Sequence, residues 1–176
     1  MATNQPKKVL YSKAQIAKRL DEMAAQIISD YQGKRVLCLV VLRGGFFFAS
    51  DLIRRIAELE PEVDFVRLTS YVGARSAGEP RFRGQLPTCS GYDVLVIEDL
   101  VDTGTTLSSL DEAIKAHGPR SIRYAVAVDK KPRRKVEFKC DYVAFDLDRD
   151  AFLVGYGMDY EGKFRTLPDI REMSAK

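Results

Sequence analysis

Apolar residues change rhythm along this chain, and each change marks an element. Between Ser12 and Gly33 they recur three to four positions apart, at Ile16, Leu20, Ala24 and Ile27, on one face of a helix. Ser12 is the expected N-cap and Gly33 the expected stop. The run RVLCLVVL, residues 35–42, is apolar without alternation, the pattern of a strand covered on both faces. After RGG, FFFASDLIRRIAEL predicts a second helix, and EVDFVRLTSYV, residues 62–72, a second strand. VLVIED, SIRYAVAVD, DYVAFDL and FLVGYG read as further strands, and TTLSSLDEAIKAHG as a helix closed by Gly118 and Pro119. Alternation of this kind predicts an α/β fold, a mainly parallel twisted sheet flanked by helices. In such sheets ligands bind beyond the carboxyl ends of the strands. RGG, EDLVDTGTT and DKKP all fall at that edge.

Three segments lack this rhythm. GARSAGEPRFRGQLPTCSGYD, residues 73–93, is rich in Gly, Pro, Ser and Arg, as in a functional lid or a disordered piece. The first residues read as a polar arm, and the tail DIREMSAK is too polar to extend the sheet.

Composition narrows the class. The 176 residues suit a single domain, 1–176, and 45% hydrophobic with 30% charged residues is ordinary for a soluble protein. A net charge of +3 suits phosphate handling but is too small to argue for nucleic acid without a clustered patch. Cys38, Cys89 and Cys140 are widely spaced, and His117 is the single histidine, which argues against a disulfide framework or structural zinc. With no apolar run of membrane-spanning length and no signal-like start, the expected location is the cytoplasm.

The chemistry concentrates in VIEDLVDTGTTL. DTGTT, residues 102–106, leads from a strand into a helix, where unpaired backbone amides meet the positive end of the helix dipole. Gly104 allows close approach, and Thr103, Thr105 and Thr106 add hydroxyls, so the loop reads as a phosphate cup. It reads equally as an ordinary turn with a threonine N-cap. Glu98 and Asp99 would face opposite sides if the strand continued, so both reach a ligand only if it ends there. Such a pair accepts hydrogen bonds from a diol and can hold Mg²⁺, although a response-regulator-like fold also ends a strand in paired acids.

Two acids, two apolar residues, then Asp-Thr-Gly and a spaced Thr resemble the binding loop of phosphoribosyltransferases that use 5-phosphoribosyl-1-pyrophosphate. VLRGGFFFASDL, Ser70–Tyr71, VDKKPRRKV and AFLVGYGMDYEGKFRTLP resemble the hypoxanthine-guanine branch, so that the likeness runs from about residue 10 to 168. The resemblance implies the type I fold, with a small hood from the N- and C-terminal segments, including about 150–176, and a mobile lid at about 71–91. It implies that Glu98 and Asp99 hold the ribose hydroxyls and, with Asp159, Mg²⁺. Residues 103 to 106 would hold the 5′-phosphate, and Leu42, Arg43, Gly44 and Arg165 the pyrophosphate, with the Leu42–Arg43 peptide cis in some relatives. Lys130 would bond the purine 6-oxo group, Phe152 stack on the base, Leu153 and Asp159 meet the purine edge, and Ser70 and Tyr71 stand at the foot of the lid, which also carries Arg75, Arg81 and Arg83. Asp102 would be the general base. The implied reaction converts hypoxanthine or guanine to IMP or GMP in purine salvage, in a homodimer or homotetramer. Without the family, Lys130 would be a surface lysine, Phe152 a core residue and Arg165 a surface charge. Two other readings stand beside it: a regulatory relative that senses the sugar pyrophosphate and binds nucleic acid, and an unrelated phosphate-binding α/β module.

Overall fold

The structure is a computed structural model that describes residues 6–69, 81–83 and 85–173. Ser70, Tyr71 and Arg75, and with them most of the expected lid, lie outside the described residues. The elements in chain order are β1 (Pro6–Tyr11), α1 (Lys13–Tyr31), β2 (Val36–Leu42) and α2 (Phe46–Arg55), followed by a 3-10 turn at Ala57–Leu59. β3 (Glu62–Thr69), β4 (Arg81–Arg83), β5 (Asp93–Val101) and α3 (Thr105–Lys115) come next, then β6 (Ser121–Lys130), β7 (Tyr142–Leu147), β8 (Phe152–Val154) and β9 (Ile170–Met173).

The larger sheet has the order β4-β3-β2-β5-β6-β7. Its five longer strands run parallel, and β4 pairs antiparallel with β3 at the edge. The uninterrupted apolar run of β2 follows from burial on both faces. Val36, Cys38 and Val40 join the core beneath α1 and α2, while Leu37, Leu39 and Val41 join the core that holds Leu107, Leu110 and Ile114 of α3. The stripe read from α1 is the buried one, with Met23 and Tyr31 added. No helix among the described residues is long and apolar enough to cross a membrane.

The termini depart from expectation. The polar arm and the polar tail both form strands, and they pair with each other: β1-β9-β8 is a separate antiparallel sheet. Two apolar residues of the tail, Ile170 and Met173, are buried, and Arg149 holds Glu172 through two bonds of 2.7 Å. Strand ends shift as well. FLVGYG is a strand only to Val154, because positive φ at Gly155, Tyr156 and Gly157 turns the chain.

The shift that matters for function is in β5, which does not end at Asp99 but continues to Val101. Pairing of β2 with β5 stops at Val40 and Ile97, whereas pairing of β5 with β6 runs on to Val101 and Asp129. The end of β5 therefore runs past the last paired residue of β2 and lies against the loop that follows it.

Candidate active site

Two helices begin at the carboxyl edge of the large sheet, and neither has a side-chain cap. α2 starts at Gly45 and α3 at Gly104, whose φ of 81° lies in the left-handed region. α1, by contrast, carries a complete capping box: Gln15 N donates to Ser12 Oγ at 3.3 Å and Ser12 N to Gln15 Oε1 at 2.9 Å. The expected alternative of a threonine N-cap at DTGTT is not what forms. The Thr103 and Thr105 hydroxyls bond each other at 2.7 Å instead, which leaves the first-turn amides of α3 for a ligand. Gly104 is needed for a different reason than ligand approach. A Cβ there would lie 2.7 Å from the Val136 carbonyl oxygen and 3.0 Å from Arg134 Cδ, behind the loop.

A cleft of about 340 Å³ opens at this edge. It is lined by Glu98, Asp99, Asp102, Thr103, Gly104 and Thr106 from the β5–α3 connection, and by Lys130, Phe152, Leu153 and Asp159. Ala151, Met158 and Arg133 join them. Thr105 is one residue from the wall, and Leu42, Arg43, Gly44 and Arg165 lie outside the lining. Glu98 and Asp99 both line the cleft although the strand runs through them, at the level where β2 has ended and its Gly44–Gly45 loop lies against β5.

Asp99 leans over the loop after β2. A Cβ on Gly44 would lie 1.9 Å from Asp99 Oδ2, so only glycine leaves room for that carboxylate. The Leu42–Arg43 peptide is cis. Gly157, at φ 106°, faces the other side of the same loop, with the Gly44 carbonyl oxygen 2.0 Å from where a Cβ would stand. Asp99 N donates to Glu98 Oε1 at 3.0 Å. Burial, with the Asp99 charge adding to it, pushes the Glu98 carboxyl well above the usual range. Burial also raises Asp99, opposed by a hydrogen bond from Glu98 and by the Arg165 charge.

An acid whose folded pKa is raised costs stability once the pH exceeds its unfolded value, and the cost grows until the folded pKa is passed. Glu98→Gln is therefore expected to raise Tm at neutral pH with a chelator present. The gain should shrink as the pH falls through the ordinary carboxyl range. Thermal unfolding of both proteins from acid to neutral pH checks this, and a pH-independent difference would contradict it.

Lys130, the last residue of β6, is 3% exposed. Its Nζ lies 2.5 Å from Asp150 Oδ1 and 3.7 Å from Asp102 Oδ1, so it is no surface lysine. The Lys130 hydrogen bond holds the Asp150 carboxyl below its usual range. Arg133 stands beside Asp102 in the cleft lining, 3.5 Å from its Oδ2. Asp102 Oδ1 is buried and has no hydrogen-bond partner, an acceptor held ready at the cleft wall. Phe152 is 50% exposed and meets Tyr160 edge-on at 5.7 Å, which makes it a platform rather than core. Arg165 is tied to the Asp159 carboxylate and donates to the Gly157 carbonyl at 2.6 Å. Asp150, Arg133 and Arg134 were not singled out from sequence. The one signal for the arginines was their place just past a strand's carboxyl end, within a run of basic residues that all look alike.

Among the described residues no three His, Cys, Asp or Glu side chains converge on one point as a ready-made metal cluster does. The Glu98–Asp99 pair is the available donor set. Mg²⁺ suits such a pair, because it takes one or two carboxylates and completes its shell with substrate oxygens and water.

A family profile described as "Phosphoribosyl transferase domain" matches residues 8–161. The chain belongs to the phosphoribosyltransferase family. Within it, the chain is 40% identical over 165 residues to a hypoxanthine-guanine phosphoribosyltransferase of Bacillus subtilis, covering 93% of this chain and 91% of that one. It is 38% identical over 169 residues to the protein of that name from Staphylococcus aureus, at 95% and 93% coverage. A hypoxanthine phosphoribosyltransferase structure from Staphylococcus aureus superposes with a TM-score of 0.90 at 38% identity, covering 97% of this chain and 93% of that one. A hypoxanthine-guanine phosphoribosyltransferase from Bacillus anthracis superposes at 0.88 and 34% identity, covering 97% and 99%. Both the α/β fold and the phosphoribosyltransferase activity expected from the sequence are borne out by these relatives.

Proposed function

We propose that this phosphoribosyltransferase moves the 5-phosphoribosyl group from 5-phosphoribosyl-1-pyrophosphate to N9 of hypoxanthine, guanine or both. The observation that carries the reading is the single cleft in which a carboxylate pair, an uncapped helix start, a buried lysine and an exposed aromatic ring meet. The pair Glu98–Asp99 suits the ribose diol, and the amides and hydroxyls of 103–106 suit the 5′-phosphate. Lys130 can donate to a 6-oxo group while Asp150 keeps hold of it, since an ammonium has three hydrogens. The ring of Phe152 offers the base a face, and Leu153 and Asp159 meet its edge.

In the reaction, the bond from C1 of the sugar to the pyrophosphate oxygen breaks and the bond from C1 to N9 forms. The N7 proton of the base passes to Asp102, whose carboxylate lines the cleft and has an oxygen without a hydrogen-bond partner. Positive charge grows on the ring and negative charge on the leaving group. Arg165 and the amides of Leu42, Arg43 and Gly44 would face that negative charge. Glu98 and Asp99 would hold a Mg²⁺ that supplies further charge neutralisation, and Asp159, expected to share in this, is turned to Arg165 instead. Ser70 and Tyr71, at the foot of the lid, would help exclude water during transfer.

Phe152→Ala should raise KM for the base by about tenfold, from lost stacking of about 1–3 kcal/mol. Tm should hardly move, because the ring is half exposed. The assay that tests the function is purified protein with Mg²⁺, the sugar pyrophosphate and a panel of hypoxanthine, guanine, xanthine, adenine and uracil. Silence on every oxopurine overturns the reading.

The nucleic-acid alternative loses its best feature, for the basic run is not one open face. Lys130, Lys131, Arg133 and Arg134 each face a carboxylate, of Asp150, Asp146, Asp102 and Asp129 respectively. The same reading places the enzyme in the cytoplasm as a homodimer or homotetramer. Phe46, Val63 and Phe65, exposed around one apolar groove, support self-association. Sedimentation at the mass of one 19.8 kDa chain would count against it.

A further inference from the structure

The connection between Asp102 and Gly104 is held from behind. Arg134 sends three groups in three directions: Nε donates to the Asp102 carbonyl oxygen at 3.2 Å, Nη1 to the Phe138 carbonyl oxygen at 2.7 Å, and Nη2 pairs with the Asp129 carboxylate. Its side chain is largely buried, as is that of Asp129. The next two residues continue the grip, with Lys135 N and Val136 N donating to the Thr103 carbonyl oxygen at 2.9 and 3.2 Å. Arg133, one position earlier, lines the cleft, whereas Arg134 does not.

A trans peptide is planar, and its C=O and N–H point opposite ways. When the carbonyls of Asp102 and Thr103 are drawn back onto residues 134–136, the amides of Thr103 and Gly104 must point forward, into the cleft. The same bonds fix the backbone from which the Asp102 side chain departs. We infer that Arg134 is a positioning residue, one that touches no substrate but aims the phosphate-binding amides and seats Asp102. The inference rests on the reading of residues 103–106 as the phosphate cup.

Arg134→Lys keeps a cation beside Asp129 but cannot reach the Asp102 and Phe138 carbonyls together. In kinetics, it should raise KM for the sugar pyrophosphate by about tenfold and lower kcat, with KM for the base within about twofold. KM values unchanged from wild type for both substrates, with only Tm and kcat reduced, would mark Arg134 as structural and overturn the inference. The second arm uses equilibrium binding of inosine and its 5′-monophosphate by calorimetry. The ratio of their dissociation constants measures what the phosphate adds, and it should fall about tenfold in Arg134→Lys. An unchanged ratio overturns the role of Arg134. A wild-type protein that binds the two equally overturns the phosphate cup itself, which is a different result. Should Arg134→Lys fail to fold, Asp129→Ala removes one of the three anchors. It should move the same ratio in the same direction by a smaller factor, and no movement there overturns the inference as well.

Discussion

Asp102→Asn is expected to lower kcat by about 10²–10⁴-fold while leaving nucleotide affinity within a few-fold of wild type. The asparagine keeps the shape and the acceptor oxygen near Lys130 Nζ, 3.7 Å away, but has no basic site for the purine proton. Stability should barely change. The substitution gives up only the long ion pairs to Lys130 and Arg133, at 3.7 and 3.5 Å; Lys130 keeps Asp150, and the backbone carbonyl that Arg134 binds is untouched. Turnover at saturating substrates, with calorimetric Kd for the monophosphate product, separates the two effects. A kcat within a few-fold of wild type would remove Asp102 from the role of base.

Gly44→Ala adds one carbon to the loop after β2, and there is no space for it. The new Cβ would stand 1.9 Å from Asp99 Oδ2 and 2.4 Å from its Cγ. Either the carboxylate swings away from the cleft or the loop moves off β5, and each choice displaces a group proposed to touch the sugar pyrophosphate. A misplacement of about 1 Å near the reacting atoms typically costs about 10²-fold in rate. The loss should fall on kcat and on KM for the sugar pyrophosphate. Tm should fall as well, since overpacking typically costs about 1–3 kcal/mol, so the rates are compared at a temperature where both proteins are folded. Activity close to wild type would mean that the Asp99 side chain is free to leave its place without consequence.

How much of this was legible in the sequence follows from how local each feature is. The two-faced burial of β2 and β5 is written as unbroken apolar runs, so the parallel sheet was plain. β9 was hidden because its buried residues, Ile170 and Met173, are three apart rather than two, and its pairing with β1 is irregular. Nothing in DIREMSAK alone alternates. In the site, Glu98 to Thr106 form one continuous stretch, whose residue types and order suffice to suggest a sugar phosphate. The distinction between Arg133 and Arg134 has no such local mark. It arises because residues 134–136 pack against residues 102–104, and that contact is made by the fold. Asp150 was missed for the same reason, since its partner Lys130 lies on a different strand end. The exposure of Phe152 also depends on tertiary context, as a phenylalanine beginning an apolar strand usually turns inward.

The close approach of Gly157 to the Gly44 carbonyl bears on how this family can change its taste in bases. The segment that would read the purine rests, backbone on backbone, upon the loop that would receive the departing pyrophosphate. The two are not separable modules. On the proposed roles, a new nucleobase preference would have to be reached by exchanging side chains at positions such as 152 and 159, because redrawing the main chain near them would disturb the leaving-group end of the same reaction.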